Sequence, residues 1–213
     1  MPAADVAIPI AFPNFLIRVD TPPMQVPVPE FIPGVGNQIS IPGTRNMVPN
    51  LGHAGILFLS GQTGLTKYYE YGRYDPQALG IVKNRRVSDV QVTNGRPSAR
   101  SLTTVLAEIS AASGQRGLIM AAYIELKPGA FQSMLAYANQ RFVECQTNPN
   151  RAPYTLYGNS CNTFMRSVAV AGGADMPQVI DPRPIGYIGR VREVYHDLDF
   201  TYPRSLTSTL LLM

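Results

Sequence analysis

The chain is poor in the residues from which disulfide frameworks and metal centres are built. Its 213 residues include two cysteines, Cys145 and Cys161, and two histidines, His53 and His196. Two cysteines do not make a disulfide scaffold. No zinc-ligand spacing and no phosphate-cradling glycine loop is present, so no metal or cofactor is expected. Charged residues make up only 15%. The basic ones are scattered, with Arg85-Arg86 the one adjacent pair, which leaves no stripe for nucleic acid. A net charge of +4 mildly favours anionic partners. No apolar run approaches the roughly 20 residues that span a bilayer, and the terminal Leu210-Leu211-Leu212-Met213 is far too short. The first residues show no basic stretch followed by an apolar one, and prolines interrupt them from Pro2 on. No secretory signal is therefore expected, and export would use another route.

What is present is a globular composition, 45% hydrophobic, long enough to bury a real core. Prolines crowd residues 1 to about 50: Pro22-Pro23, Pro27, Pro29 and Pro33 fall close together. Proline lacks a ladder donor, so this segment is predicted to be an extended leader that wraps the core, with at most edge strands such as Phe15 to Val19. Gly34-Val35-Gly36-Asn37 and Pro42-Gly43-Thr44 read as turns. Residues 51–213 are expected to form the main domain. Strands are predicted at Ala54–Leu59, Thr66–Arg73, Gly80–Val87 and Leu118–Leu126. Helices are predicted from Ser98 or Ser101 to Ala112, after Pro128 with Phe131, Met134, Leu135, Ala138 and Phe142 as the buried stripe, from Cys161 to Ala171 before Gly172-Gly173, and briefly around Ile185 to Tyr195.

Two short segments carry the chemistry. Gly52-His53-Ala54-Gly55 sets a histidine at the mouth of an apolar strand. Asn159-Ser160-Cys161-Asn162-Thr163 sets a cysteine at a polar helix entry. A thiol there is biased to thiolate by the orphan N–H groups and the helix dipole. Taken alone, His53 reads as a core or turn histidine; facing Cys161, it reads as the base of a cysteine hydrolase or acyltransferase. If Gln62 and Thr63 form a two-residue hairpin loop, Gly55 lies opposite Glu70 and His53 opposite Gly72. His53 and Glu70 then share a face on diagonal positions, where the acid can orient the imidazole. A one-residue slip would substitute Tyr69 or Tyr71. Asn159 and Tyr157 are candidates for oxyanion and substrate contacts. Cys145, late in an amphipathic helix, reads as inert, and His196 as a surface residue.

The order Gly-His-x-Gly and apolar strand, aromatic strand with an acid, then a late Asn-x-Cys-x-x-Phe helix resembles the circularly permuted papain-like superfamily. That group includes NlpC-type cell-wall peptidases and lecithin:retinol acyltransferase-like enzymes. The resemblance covers roughly residues 50–173 and implies an α+β fold with an antiparallel sheet packed against helices. It also implies Cys161 as nucleophile, His53 as base and Glu70 as orienter, with no cofactor. The Asp before and Ser after the cysteine that cell-wall hydrolases carry are absent. With the proline-rich leader, the whole looks like papain-like toxins of bacterial type VI secretion. Such toxins imply a secretion-apparatus contact, a peptidoglycan-peptide substrate in a rival's periplasm and a cognate immunity protein, with neither nucleic acid nor stable membrane insertion. An acyltransferase or thioesterase using the same Cys–His pair, and a non-enzymatic secreted adaptor, are the alternatives.

Overall fold

A computed structural model describes residues 3–19, 24–27, 38–41, 46–48, 52–75 and 79–208. Its first half holds β1 (Asp5–Phe12), β2 (Ile17–Val19), β3 (Met24–Pro27), β4 (Gln38–Ile41), β5 (Asn46–Val48), β6 (His53–Leu59), β7 (Thr66–Gly72) and β8 (Ile81–Arg85). After β9 (Val92–Thr93) and β10 (Arg96–Pro97) come α1 (Ala99–Ser113), β11 (Ile119–Leu126), α2 (Ala130–Thr147) and α3 (Cys161–Ala171). The chain continues with α4 (Pro184–Arg192), β12 (His196–Thr201) and β13 (Ser205–Ser208).

Seven strands form one antiparallel sheet in the order β13-β12-β11-β1-β6-β7-β8. Three small ladders, β2 with β5, β3 with β4 and β9 with β10, stand apart from it. The predicted strand at Phe15 to Val19 is found as β2. The two turns predicted at 34–37 and 42–44 lie outside the described residues.

Residues 5–12 depart from expectation. They are not leader but the middle of the sheet, buried along their whole length between β11 and β6. The physical reason is two-sided burial. Val6, Ile8, Ile10 and Phe12 face one apolar cluster with α1, while Ala7 and Ala11 face the other with α2, α3 and α4. Each large side chain buried there contributes about 1.5–3 kcal/mol, against about 1 kcal/mol for one missing hydrogen bond. Pro9 is tolerated because the pairing with β6 runs unbroken from Val6 to Phe12, whereas the pairing with β11 skips Ile8 and Pro9. Strand β1 therefore shares one core with residues 51–208. The last two strands, β12 and β13, extend the sheet beyond β11 where the sequence predicts a tail with one helix.

Asp5 ties this first strand to the rest. Helix α2 is preceded at its N-cap position by Gly129, at a φ of 93°, which has no side chain to cap it. The buried Asp5 carboxylate supplies the cap from across the fold. Its Oδ2 accepts the N–H groups of Gly129 and Phe131, both at 2.9 Å, and its Oδ1 accepts that of Gly61 at 2.9 Å. Asp5→Ala leaves three donors, two of them on the buried Gly61 and Phe131, without their acceptor and is expected to lower unfolding stability by roughly 2 to 3 kcal/mol. Urea denaturation measures it, and a midpoint within error of the parent would rule the cap out.

Candidate active site

The hairpin that positions the site has a different loop from the one expected but the same register. Ser60 N–H donates to Leu65 O at 3.0 Å and Gly64 N–H to Ser60 O at 2.8 Å, so four residues, Gly61 to Gly64, make the turn. Gly64 takes a left-handed φ of 75° there. A four-residue loop keeps the same parity as a two-residue one, and Gly55 does face Glu70. The room left by Gly55 is filled by the Tyr68 ring, which a Cβ at position 55 would strike.

His53 opens β6, pairing with Phe12 of β1. Its Nε2 lies 3.3 Å from Oε2 of Glu70. The other Glu70 oxygen, Oε1, accepts a hydrogen bond from Nε of Arg85 at 2.9 Å, and Tyr68 Oη donates to Oε2 at 3.4 Å. Tyr74 Oη sits 3.0 Å from Nε2 of His53. Phe12, stacked at 6.0 Å between ring centres, and Phe15, tilted at 5.2 Å, wall the imidazole.

The thiol arrives from the opposite layer, at the first position of α3. Ser160 caps that helix through a reciprocal box with Thr163. The Ser160 hydroxyl accepts from Thr163 N–H, and Ser160 N–H donates to Thr163 Oγ1 at 2.7 Å. Cys161 is only 4% exposed. It lies close enough to His53 for each to shift the other's titration, and it touches the hydroxyl of Tyr154, which donates to Sγ at 3.6 Å and accepts from Cys161 N–H at 3.5 Å.

Burial alone would disfavour charge on all three groups, yet each shifts the other way. The imidazole, pushed down by burial, is carried up from 6.5 to about 9 by its hydrogen bonds and charge contacts with Cys161 and Glu70. The Cys161 thiol, pushed up by burial, is lowered by the hydrogen bond and charge of His53, by Tyr154 and by the Ala54 backbone. Glu70, also pushed up by burial, is brought down from 4.5 to about 2 by the hydrogen bond and charge of His53, then by Ser113 and Arg85. The directions of these shifts favour a thiolate beside an imidazolium and a carboxylate.

The Glu70 shift carries a stability consequence. A folded value below the unfolded one adds stability that is complete above about pH 4.5 and is lost as the pH falls towards 2. The size is roughly 3 kcal/mol. Melting curves of the parent across that window should fall more steeply than those of Glu70→Gln, which has no such group to titrate; parallel curves would contradict it.

Of the residues singled out in the sequence, His53, Glu70 and Cys161 meet here. Asn159 does not offer a donor: its amide nitrogen donates to the carbonyls of Ala152 and Pro153, at 3.2 and 2.9 Å, and its oxygen accepts from Arg141. It staples the loop before α3. Tyr157 is 45% exposed on that loop. Tyr69 and Tyr71 turn to the other face of β7, Tyr69 to Asn84 and Tyr71 to the rings of Tyr154 and Phe164. Cys145 accepts from Val82 N–H at 3.4 Å and donates to Gly80 O, a structural contact. Sequence reasoning missed Tyr74, Tyr154 and Arg85. Only Arg85, two residues along β8 from the position facing Glu70, had a signal in strand pairing. Among the described residues, no group of three or more His, Cys, Asp or Glu could hold a metal.

A profile of the TseH-like type VI secretion system effectors matches residues 7–176, a span that includes every residue of this site. The chain belongs to that family. The effector is also similar to a solved protein, described as the crystal structure of the type VI secretion system effector TseH. The two share 30% sequence identity and a TM-score of 0.75, over 98% of this chain and 99% of that one. Among curated proteins none matches the chain by sequence. As a type VI effector the protein is secreted. Among its described residues no helix is long and apolar enough to cross a membrane.

Proposed function

We propose that this effector is a cysteine hydrolase that cleaves an amide bond, with peptidoglycan stem peptides as substrate. The observation that carries the reading is Cys161 at the first position of a capped helix, electrostatically coupled to an imidazole whose Nε2 lies 3.3 Å from a buried carboxylate. With Nε2 committed to Glu70, Nδ1 is the nitrogen left to exchange a proton with the thiol.

In the proposed reaction the Cys161 thiolate attacks the scissile carbonyl, and the carbonyl electron pair moves onto oxygen. The Cys161 N–H and the Tyr154 hydroxyl both stand beside Sγ and donate to that oxyanion, a type of stabilisation worth about 3 kcal/mol per donor. The tetrahedral centre collapses, the C–N bond breaks, and the His53 imidazolium gives its proton to the leaving amine. Water, deprotonated by His53, then attacks the thioester and releases the acid and the thiolate. Glu70 stays ionised throughout and holds the ring.

The arrangement follows the permuted papain-like order, with base and orienter on successive strands and the nucleophile on a later helix. Delivery by the secretion apparatus into a rival's periplasm, and a cognate immunity protein in the producer, belong to the same reading. The test is expression of the full chain in the periplasm and in the cytosol, with and without Cys161→Ala, combined with digestion of purified muropeptides. Lysis confined to the periplasmic parent, with new amine and carboxyl ends in the muropeptides, is expected. Intact muropeptides together with an acyl group carried on Cys161, seen by mass spectrometry, would move the substrate to the acyltransferase or thioesterase class.

A further inference from the structure

Nothing in the reaction above requires Arg85, yet its Nε is the closest partner Glu70 has. We infer that Arg85 is a positioning residue of this site: by holding Oε1 of Glu70 it fixes the carboxylate in the rotamer that presents Oε2 to His53. The inference rests on the Cys161–His53–Glu70 reading and deepens it.

Glu70 needs such a hold. Its side chain has three torsions, is 1% exposed, and must aim one oxygen at a ring on the neighbouring strand. Tyr68 contacts the same oxygen that His53 uses and leaves Oε1 free to rotate. Arg85 closes that freedom from β8, while its own side chain remains 36% exposed.

The choice of Arg85 is not what strand pairing alone dictates. Lys83 is directly opposite Glu70, and Arg85 is opposite Tyr68, on the diagonal. Lys83 instead places its ammonium 3.3 Å above the centre of the Tyr74 ring. The planar guanidinium can present a directed N–H to a carboxylate, whereas the ammonium is a point charge. The groups facing Glu70 are thus His53 from β6, Tyr68 from β7, Tyr74 beyond it, Lys83 and Arg85 from β8, and Ser113 from α1.

Positioning and mere charge predict different patterns across variants. Arg85→Ala removes a cation, and on charge alone that raises the acid midpoint of the thiol only slightly. Lys83→Gln removes a cation too and on charge alone does the same, whereas Arg85→Lys keeps the charge and on that ground moves nothing. If Arg85 positions Glu70, its loss lets the carboxylate swing away, the imidazolium loses its partner, and the pair forms only at higher pH.

The experiment follows alkylation of Cys161 by iodoacetamide across pH 5 to 10 in the full chain, with the modified peptide counted by mass spectrometry, so no substrate is needed. In Arg85→Ala the acid midpoint should rise by about one pH unit, a roughly tenfold slower reaction on the rising limb. Millimolar guanidinium chloride should restore part of that rate and leave the parent unchanged. Arg85→Lys should shift the midpoint in the same direction by less, which keeps the inference testable if the alanine variant is poorly folded. Lys83→Gln, which removes a charge without breaking a hydrogen bond to Glu70, should raise the midpoint by far less than Arg85→Ala. A midpoint that is unchanged or lowered in Arg85→Ala, unchanged in Arg85→Lys, or raised as much in Lys83→Gln as in Arg85→Ala, overturns the inference alone. A parent midpoint at the ordinary thiol value overturns the Cys161–His53 pair and the inference together.

Discussion

Cys161→Ala is expected to abolish activity, with turnover of muropeptides reduced roughly 10⁴-fold or more and periplasmic lysis lost. His53→Ala should do the same. In the proposed reaction the two groups act as one unit: the thiol is shifted towards thiolate by the imidazole, and the imidazole is drawn towards charge by the thiol and Glu70. Removing either leaves the other without its task. The double variant should therefore be no slower than either single one, because there is no second contribution to remove. The fold should survive, since both side chains sit at the ends of elements, His53 at the start of β6 and Cys161 at the first position of α3. Single-turnover rates and melting curves measured together check this. Substantial turnover in Cys161→Ala, with a parent-like melting temperature, would show that another group is the nucleophile.

Glu70→Gln comes second in expected effect, with activity reduced about 10²- to 10³-fold. The amide matches the carboxylate in shape, so the sequence by itself suggests a mild substitution. The structure argues otherwise. The two Glu70 oxygens meet two donors, Nε2 of His53 in its imidazolium form and Nε of Arg85. Glutamine has one oxygen and one NH₂ group, so one of the contacts becomes donor against donor. The imidazolium also loses its counter-charge. Removing the orienting acid of a serine protease costs about 10⁴ in turnover; a thiol should lose less, being the better nucleophile. Tyr69→Phe is the useful comparison, because the Tyr69 hydroxyl bonds Asn84 on the opposite face and should leave the rate within about twofold of the parent. If Glu70→Gln matched the parent in rate, the acid would have no part in the site.

The strands and helices that carry the site were legible because their signals are local. The run Ala54–Leu59, the aromatic strand after it and the capped entry to α3 each lie within a few residues, where periodicity and capping chemistry speak directly. Even the facing of Gly55 and Glu70 could be read, since any even-numbered loop centred between Gln62 and Thr63 preserves it, and the four-residue loop found at Gly61–Gly64 did so. The first strand was not legible. Proline counts argue against a central strand, and only the two apolar layers that close over β1 make its burial worth a missing donor. The strands β12 and β13 were lost for a related reason. They are short and polar on one side, and their place is set by pairing with β11 and with each other.

The sequence by itself determined which groups could do chemistry: one cysteine with helix-start neighbours, one histidine at a strand mouth and one acid in register with it. Those are properties of residue type and spacing over short range, and they survive without knowledge of the fold. The tertiary structure decided what surrounds them. Tyr154 reaches the thiol from a loop stapled by Asn159, Tyr74 reaches the imidazole from beyond β7, and Arg85 reaches Glu70 from a third strand. Asp5 caps a helix 124 residues away from it in the chain. Such contacts depend on loop closure and on layers meeting at the start of one strand, and no local pattern encodes them. Their effect is electrostatic: burial alone pushes a thiol and an imidazole towards their neutral forms, and the partners the fold brings near them shift both towards charge.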